Sequence, residues 1–156
     1  MTIQFIETIT GLYDRNEWDR GPWDSEEFDK LVWVDPDTGL KCGLVRNSYG
    51  AWCGYVGISK DHPLHGVEYD RLYMDINVHG ALTYSCLDEE GIWWLGFDCN
   101  HTCDMAPQRD IFGYPKSGEY RTQGYALEET TQLAKQIANI KEWDDYYGDK
   151  DEDSEY

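Results

Sequence analysis

All four histidines of the chain lie between positions 62 and 101, and aspartates are interleaved with them. Imidazole and carboxylate groups are ligands for zinc, manganese and iron. An imidazole that is oriented by a carboxylate can also act as a general base. These residue types therefore indicate either a metal site or a proton-transfer site, provided that the fold brings them together.

The densest part of this pattern is the stretch 92–104, IWWLGFDCNHTCD. An apolar run with two tryptophans changes abruptly into Asp98, His101 and Asp104, which is typical of a buried strand that carries a site at its end. His79 ends another predicted strand. If the two strands are neighbours, His79, Asp98 and His101 could converge at one edge of the sheet, and Asp104 could join them. We predict His79, Asp98 and His101 as ligands of a divalent metal, although no cofactor can be identified.

Four further residues are candidates for ligand binding. They are His62 in the preceding loop, Asp104, Trp94 as a stacking platform for a flat ligand, and Arg109 just downstream. The first three have a structural alternative: His62 precedes a proline, which favours an extended backbone, aspartates brace turns, and tryptophans fill cores. The sequence assigns no catalytic residue.

Several common enzyme motifs are absent from the sequence. It contains no GxGxxG, P-loop, GxSxG or HExxH motif and no paired CxxC motifs. These absences disfavour Rossmann enzymes, common nucleotide hydrolases and serine hydrolases.

The elements that must position the candidate residues are mostly strands. Alternating or β-branched segments predict strands at 31–34, 40–46, 51–58, 73–78, 82–84 and 92–98. Apolar residues at helical spacing predict one helix over about 123–143, with Thr122 as its N-cap. The expected fold class is α+β: an antiparallel sheet of about five to six strands, a meander, packed by one long C-terminal helix.

The predicted organisation is a single α+β domain at 31–143. Residues 1–30 are predicted to be an acidic, aromatic N-terminal arm with a helical turn near 25–30. Residues 144–156 hold seven acidic residues and one lysine, which predicts an acidic disordered tail.

The formal net charge of −18 disfavours direct binding of nucleic acid or anionic lipid and favours a partner protein with a basic surface. No apolar run is long enough to span a membrane, and the first residues lack the pattern of a signal peptide. We therefore expect a cytoplasmic protein with five free cysteines. The sequence does not indicate an oligomeric state.

Three blocks in order resemble a family of small proteins encoded by phages, prophages and some bacteria. The blocks are CGYVG followed by DHPLHG (53–66), VHGxLTY (78–84) and WWLGFDCxHxxD (93–104). The resemblance covers roughly residues 31–142, and family members often have a second glycine where this chain has Ala81. It implies a phage-type origin, and hence the cytosol of a host cell, but no established activity.

Two functions follow as hypotheses. In the first, the protein is an accessory factor that binds a host protein, as a host-takeover or anti-defence inhibitor of, for example, a basic nucleic-acid-handling complex. In the second, the His/Asp residues form a small-ligand or metal site that hydrolyses or sequesters a nucleotide-type molecule. The sequence leaves open whether the protein is an enzyme.

Overall fold

The computed structural model describes residues 2–109, 112 and 117–144 of the chain. The strands are β1 (Phe5–Ile9), β2 (Lys30–Val34), β3 (Lys41–Arg46), β4 (Trp52–Ile58), β5 (Tyr84–Leu87), β6 (Trp93–Asp98), β7 (Asp104–Met105) and β8 (Glu119–Tyr120). The helix α1 spans Gln123–Asn139, and short 3-10 helices span Arg15–Glu17, Pro22–Ser25 and Tyr69–Arg71.

The six longer strands form one antiparallel sheet in the order β1-β2-β3-β4-β6-β5. The first four follow each other in chain order, whereas β6 lies between β4 and the edge strand β5. The short strands β7 and β8 pair in parallel and form a separate two-stranded sheet. The expected α+β class, with one antiparallel sheet and one C-terminal helix, is confirmed.

The helix packs on one face of the sheet because both surfaces are apolar there. α1 buries a stripe at helical spacing (Ala126, Thr130, Leu133, Ala134 and Ile137) against β3 and β4. Gly54 of β4 allows a close approach, since a Cβ atom at this position would lie 2.3 Å from Thr130 Oγ1. Thr122 caps the helix by accepting a hydrogen bond from the Tyr125 amide, as predicted.

A buried arginine joins the N-terminal segment to the rest of the fold. The Arg46 side chain is fully buried and forms ion pairs with Glu26 at 2.9 Å and Asp29 at 3.2 Å. Its Nη1 also donates to the Tyr120 hydroxyl at 3.0 Å. Glu26 in turn accepts from the Gln123 amide at the start of α1 at 2.8 Å. One cation therefore connects the arm, β3, β8 and the helix.

Two parts of the predicted secondary structure differ from the fold. Residues 73–78 form a turn (73–75) and an irregular segment (76–78) rather than a strand. The amides of Asp75 and Ile76 bond back to Leu72, and the Asn77 backbone bonds to the Gln136 side chain of α1. Although the segment alternates in polarity, its backbone hydrogen bonds go to its own turn and to α1 and not to a neighbouring strand. The next strand accordingly begins at Tyr84 instead of residue 82.

The arm and the helix end also differ in detail from the prediction. The arm contains the strand β1, whose side chains are mostly exposed, so that no buried alternation marks it in the sequence. Its helical turn is at Pro22–Ser25, slightly earlier than expected. The helix ends at Asn139 because Ile140 has an extended backbone. The division into arm, domain and tail stays a prediction, and residues 145–156 lie outside the described part of the chain.

Ala81 provides a test of backbone strain next to His79. It is exposed and has a φ of 67°, a left-handed conformation that costs about 1–2 kcal/mol for a residue with a Cβ atom. Glycine removes this cost but loses roughly 0.5–1 kcal/mol of unfolded-state entropy. We expect Ala81→Gly to raise the free energy of unfolding in urea by about 0.5 kcal/mol.

The matched control is Ala138→Gly in α1, where the same substitution should lower the free energy of unfolding by about 1 kcal/mol. A loss of stability on Ala81→Gly would show that the turn after His79 does not hold this conformation.

Candidate metal centre

Asp104, at the start of β7, is fully buried and lies at the centre of a cluster of nitrogen donors. Its carboxylate accepts hydrogen bonds from His79 Nε2 at 2.9 Å and from His101 Nδ1 at 3.1 Å. The His101 amide also donates to it at 3.0 Å. On the other carboxylate oxygen, Arg121 Nε donates at 2.9 Å. Two imidazoles therefore converge on one carboxylate, which is oriented by an arginine.

His79 is positioned by a tight turn and by α1. The Ala81 amide bonds to the Val78 carbonyl at 2.8 Å, which places His79 inside a turn. The His79 amide donates to Glu129 Oε1 at 2.8 Å, and Nδ1 is 2.8 Å from the Tyr125 hydroxyl. Because a carboxylate cannot donate, Nε2 carries the proton toward Asp104; in the neutral tautomer, Nδ1 then accepts from Tyr125. The helix thus fixes the orientation of the ring.

His101 follows the end of β6 in a turn that closes on Asp104. The Asp104 amide donates to the His101 carbonyl at 2.9 Å. The ring packs against Gly80, where a Cβ atom would lie 2.2 Å from the imidazole. The φ of Gly80 is 65°, so this position suits glycine for two reasons. The absence of a side chain at residue 80 allows His79 and His101 to share one carboxylate.

The electrostatics favour an ionised Asp104. Burial opposes the charge, but the hydrogen bonds from His79, the His101 amide, Arg121 and the His101 ring outweigh it and hold the pKa of Asp104 well below its usual value. The same contact with Asp104 raises the pKa of Arg121. The cluster therefore keeps one negative charge among four donor groups from three residues.

One atom each of His79, His101 and Asp104 can be chosen so that all three lie within 4.8 Å of one another. A metal with tetrahedral bonds of about 2.0–2.2 Å sets adjacent ligand atoms roughly 3.3–3.6 Å apart. The nitrogen atoms that are hydrogen-bonded to Asp104 at 2.9 and 3.1 Å would therefore have to move apart from it by only a few tenths of an ångström to hold such an ion. His101 Nε2 is buried and has no hydrogen-bond partner among the described residues. A cavity of about 560 Å³ opens beside the two rings, lined also by Gly80, Thr102 and Cys103.

The structure brings together part of the predicted ligand set. His79 and His101 meet as expected, but Asp104, rather than Asp98, lies between them. Asp98 braces the turn by accepting from the Asn100 amide and the Thr83 hydroxyl, each at 3.0 Å. Its Oδ1 is 3.7 Å from His101 Nε2, which is a neighbouring charge but too long for a hydrogen bond.

The other candidates lie elsewhere in the fold. His62 Nε2 donates to the Ile137 carbonyl at 2.8 Å, three helical turns from Tyr125 and therefore roughly 18 Å along α1 from the cluster. Trp94 Nε1 donates to Asp88 at 2.9 Å. Arg109 forms an ion pair with Asp19 of the arm at 2.9 Å. The contact of His62 with the Ile137 carbonyl links the loop that contains His62 to the end of α1.

Sequence reasoning missed the residues that hold the cluster from outside. Tyr125 and Glu129 are four residues apart on α1, so they lie on one face of the helix and both reach His79. Arg121 comes just before the helix. Their signal was weak, because a polar pair at this spacing on a helix usually faces solvent.

The comparisons assign no family to the chain: no protein-family model, no curated protein and no solved structure matches it. The resemblance to phage-encoded proteins therefore stays a prediction. Within residues 2–109, 112 and 117–144, no helix has the length and apolarity needed to cross a membrane.

The depressed pKa of Asp104 predicts a pH-dependent contribution to stability. Its ionised form is favoured by folding, so the stabilisation is complete above the unfolded pKa of about 3.9 and is lost as pH falls below it. Asp104→Asn should lower the free energy of unfolding by about 3 kcal/mol at pH 7. The difference in free energy of unfolding between the parent and Asp104→Asn, measured by urea denaturation between pH 7 and pH 3, should become smaller below about pH 4.

Asp37→Asn, in the exposed turn between β2 and β3, is the matched control and should leave the pH profile unchanged. A difference between Asp104→Asn and the parent that stays constant from pH 7 to pH 3 would contradict an ionised Asp104.

Proposed function

We propose that this protein binds a divalent transition-metal ion through His79, His101 and Asp104 and presents it to a small ligand. The observation that carries the proposal is the convergence of the two imidazoles on the Asp104 carboxylate, at 2.9 and 3.1 Å. Two histidines and one carboxylate are a common ligand set for zinc and for non-haem iron.

The outer contacts of these three residues support a metal site. Ligating histidines usually have their second ring nitrogen fixed by a neighbouring group, and ligating carboxylates are hydrogen-bonded in turn. The Tyr125 hydroxyl meets His79 Nδ1 at 2.8 Å, and Arg121 holds the second Asp104 oxygen at 2.9 Å. These contacts leave His79 Nε2 and Asp104 Oδ2 as the atoms that would bind a metal in place of the hydrogen bond between them.

The surroundings favour a cation with an open coordination position. The chain has a net charge of −18, which raises the local concentration of cations. The cavity beside His79 and His101 gives a water molecule or a small ligand access to the site. A metal there would supply Lewis acidity, and the proposed ligand is a nucleotide-type molecule that the protein sequesters or hydrolyses.

Metal titration tests this proposal directly. Purified protein, stripped with chelator, should bind one equivalent of Zn²⁺ or Co²⁺ in calorimetry, and the Co²⁺ form should show visible absorption bands. His79→Ala and His101→Ala should each weaken binding by about 100-fold or more, because each removes one of three ligands.

The matched controls are His62→Ala and His65→Ala, whose rings bond to backbone carbonyls away from the cluster. They should keep the parent affinity. Full binding by the His79→Ala and His101→Ala variants, with circular dichroism unchanged, would refute the site.

A second candidate function is binding of a host protein with a basic surface. Five large apolar side chains between positions 69 and 87 are exposed: Tyr69, Tyr73, Met74, Tyr84 and Leu87. Acidic residues are interleaved with them in the sequence. Aromatic and methionine side chains are enriched at protein interfaces, and acidic surroundings favour a basic partner. This combination supports the phage-type host-interaction hypothesis.

We expect tagged protein to capture a host protein from lysate at about 50 mM salt and to lose it at about 0.5 M salt. A double substitution, Tyr73→Ala with Met74→Ala, should reduce capture about tenfold because it removes the two most exposed apolar side chains of this group. Two results would contradict this function for the exposed residues between 69 and 87. In the first, no host protein is captured at low salt. In the second, the double variant captures as much host protein as the parent.

A further inference from the structure

The sheet face opposite α1 carries a row of residues with unusual side-chain sizes. Strand register aligns them across all six strands in the order Glu7, Val32, Gly43, Tyr55, Gly96 and Tyr84. Glycines therefore alternate with large side chains along one line across the sheet. This arrangement leaves depressions in the surface wherever no neighbouring ring covers a glycine.

Two of the three glycines on this face are covered by aromatic rings. A Cβ atom on Gly96 would lie 2.4 Å from the Tyr55 ring, and one on Gly57 would lie 3.0 Å from the Trp94 ring. Gly43 is different, because in the described part of the chain its Cβ atom would meet only the Leu31 carbonyl, at 3.7 Å. The space above Gly43 is therefore open.

This open space is the floor of a groove of about 390 Å³. Its lining includes Val32, Val45, Tyr55, Tyr84 and Trp94. Cavities of about 300–1,000 Å³ that are lined by apolar and aromatic groups are typical of small-molecule sites. The aromatic lining and the shallow floor suit a flat ligand.

Lysines stand at both ends of the groove, although the chain has only 13 basic residues against 31 acidic ones. Lys41 on β3 pairs with Val34 on β2, and Val34 is four residues from Lys30 on the same strand. The two lysines are therefore roughly 13 Å apart along the strands. Two carboxylates, Glu7 and Asp88, also line the groove. Lys30 forms an ion pair with Glu7 at 3.3 Å. Lys41 acts electrostatically on Asp88, whose carboxylate is bonded to Trp94 Nε1, but it forms no direct ion pair with any described residue. Lys41 is therefore the less engaged of the two cations.

We propose that the groove over Gly43 binds a flat aromatic anion, with the ring system resting on Gly43 between Val32 and Tyr55 and the negative group next to Lys41. The site is on the face away from α1, and its ligand is independent of the metal proposed at His79, His101 and Asp104. Charge complementarity at Lys41 distinguishes this ligand from the cations that the rest of the surface attracts.

The probe for this site is 8-anilino-1-naphthalenesulfonate, a fluorescent anion that carries a flat naphthalene ring system. It should bind the folded protein at one saturable site at about 0.15 M salt, with energy transfer from tryptophan. Gly43→Leu fills the groove and should weaken binding by about tenfold or more. Gly43 has an ordinary strand backbone, so the substitution should leave the melting temperature at or above that of the parent.

Gly43→Ala is the second variant and should weaken binding less than Gly43→Leu, because it fills less of the groove. It also keeps the test valid if leucine perturbs the fold. Unchanged probe affinity in both variants would overturn the proposal, since the probe would then be bound elsewhere on the protein.

The charge preference is tested separately. Lys41→Gln should weaken probe binding about three- to tenfold, whereas Lys135→Gln on α1 should have no effect. Thioflavin T, a flat aromatic cation, should bind at least about tenfold more weakly than the anion. Equal affinity for the two dyes, or no change on Lys41→Gln, would overturn the assignment of an anionic ligand.

Discussion

The buried Arg46 guanidinium is the interaction on which the rest of the structure depends. An unpaired buried charge costs several kcal/mol, so the groups that surround it must stay in place. These groups come from separate parts of the chain: Glu26 and Asp29 from the arm, and Tyr120 from β8. Because Tyr120 precedes Arg121, which holds Asp104, the same network also supports the candidate metal centre.

Much of the fold was predictable from local patterns. The segments at 31–34, 40–46 and 51–58 alternate or are apolar throughout, and their turns contain proline and glycine, so strands β2 to β4 were predicted within about two residues. The predicted strand at 73–78 was wrong because its buried side chains pack without a strand partner. Likewise β1, an exposed edge strand, has little periodicity, and its pairing with β2 depends on tertiary contacts.

The candidate site was predictable in its histidines but not in its carboxylate. His79 follows a predicted strand and His101 follows β6. These positions indicated that the two histidine side chains could meet. The choice between Asp98 and Asp104 depended on how the turn after β6 closes, and spacing alone does not determine this. Arg121 and Tyr125 reach the site only because α1 packs across the sheet, so no local signal identified them.

The most direct test of the account is the position of a bound metal. A crystal of the protein grown with Zn²⁺ and measured above the zinc absorption edge should show one strong anomalous peak among His79, His101 and Asp104, with bonds of about 2.0–2.2 Å. His79 Nδ1 should still contact the Tyr125 hydroxyl in that crystal. No peak at this position, with His79 still hydrogen-bonded directly to Asp104 in the presence of excess Zn²⁺, would contradict the account.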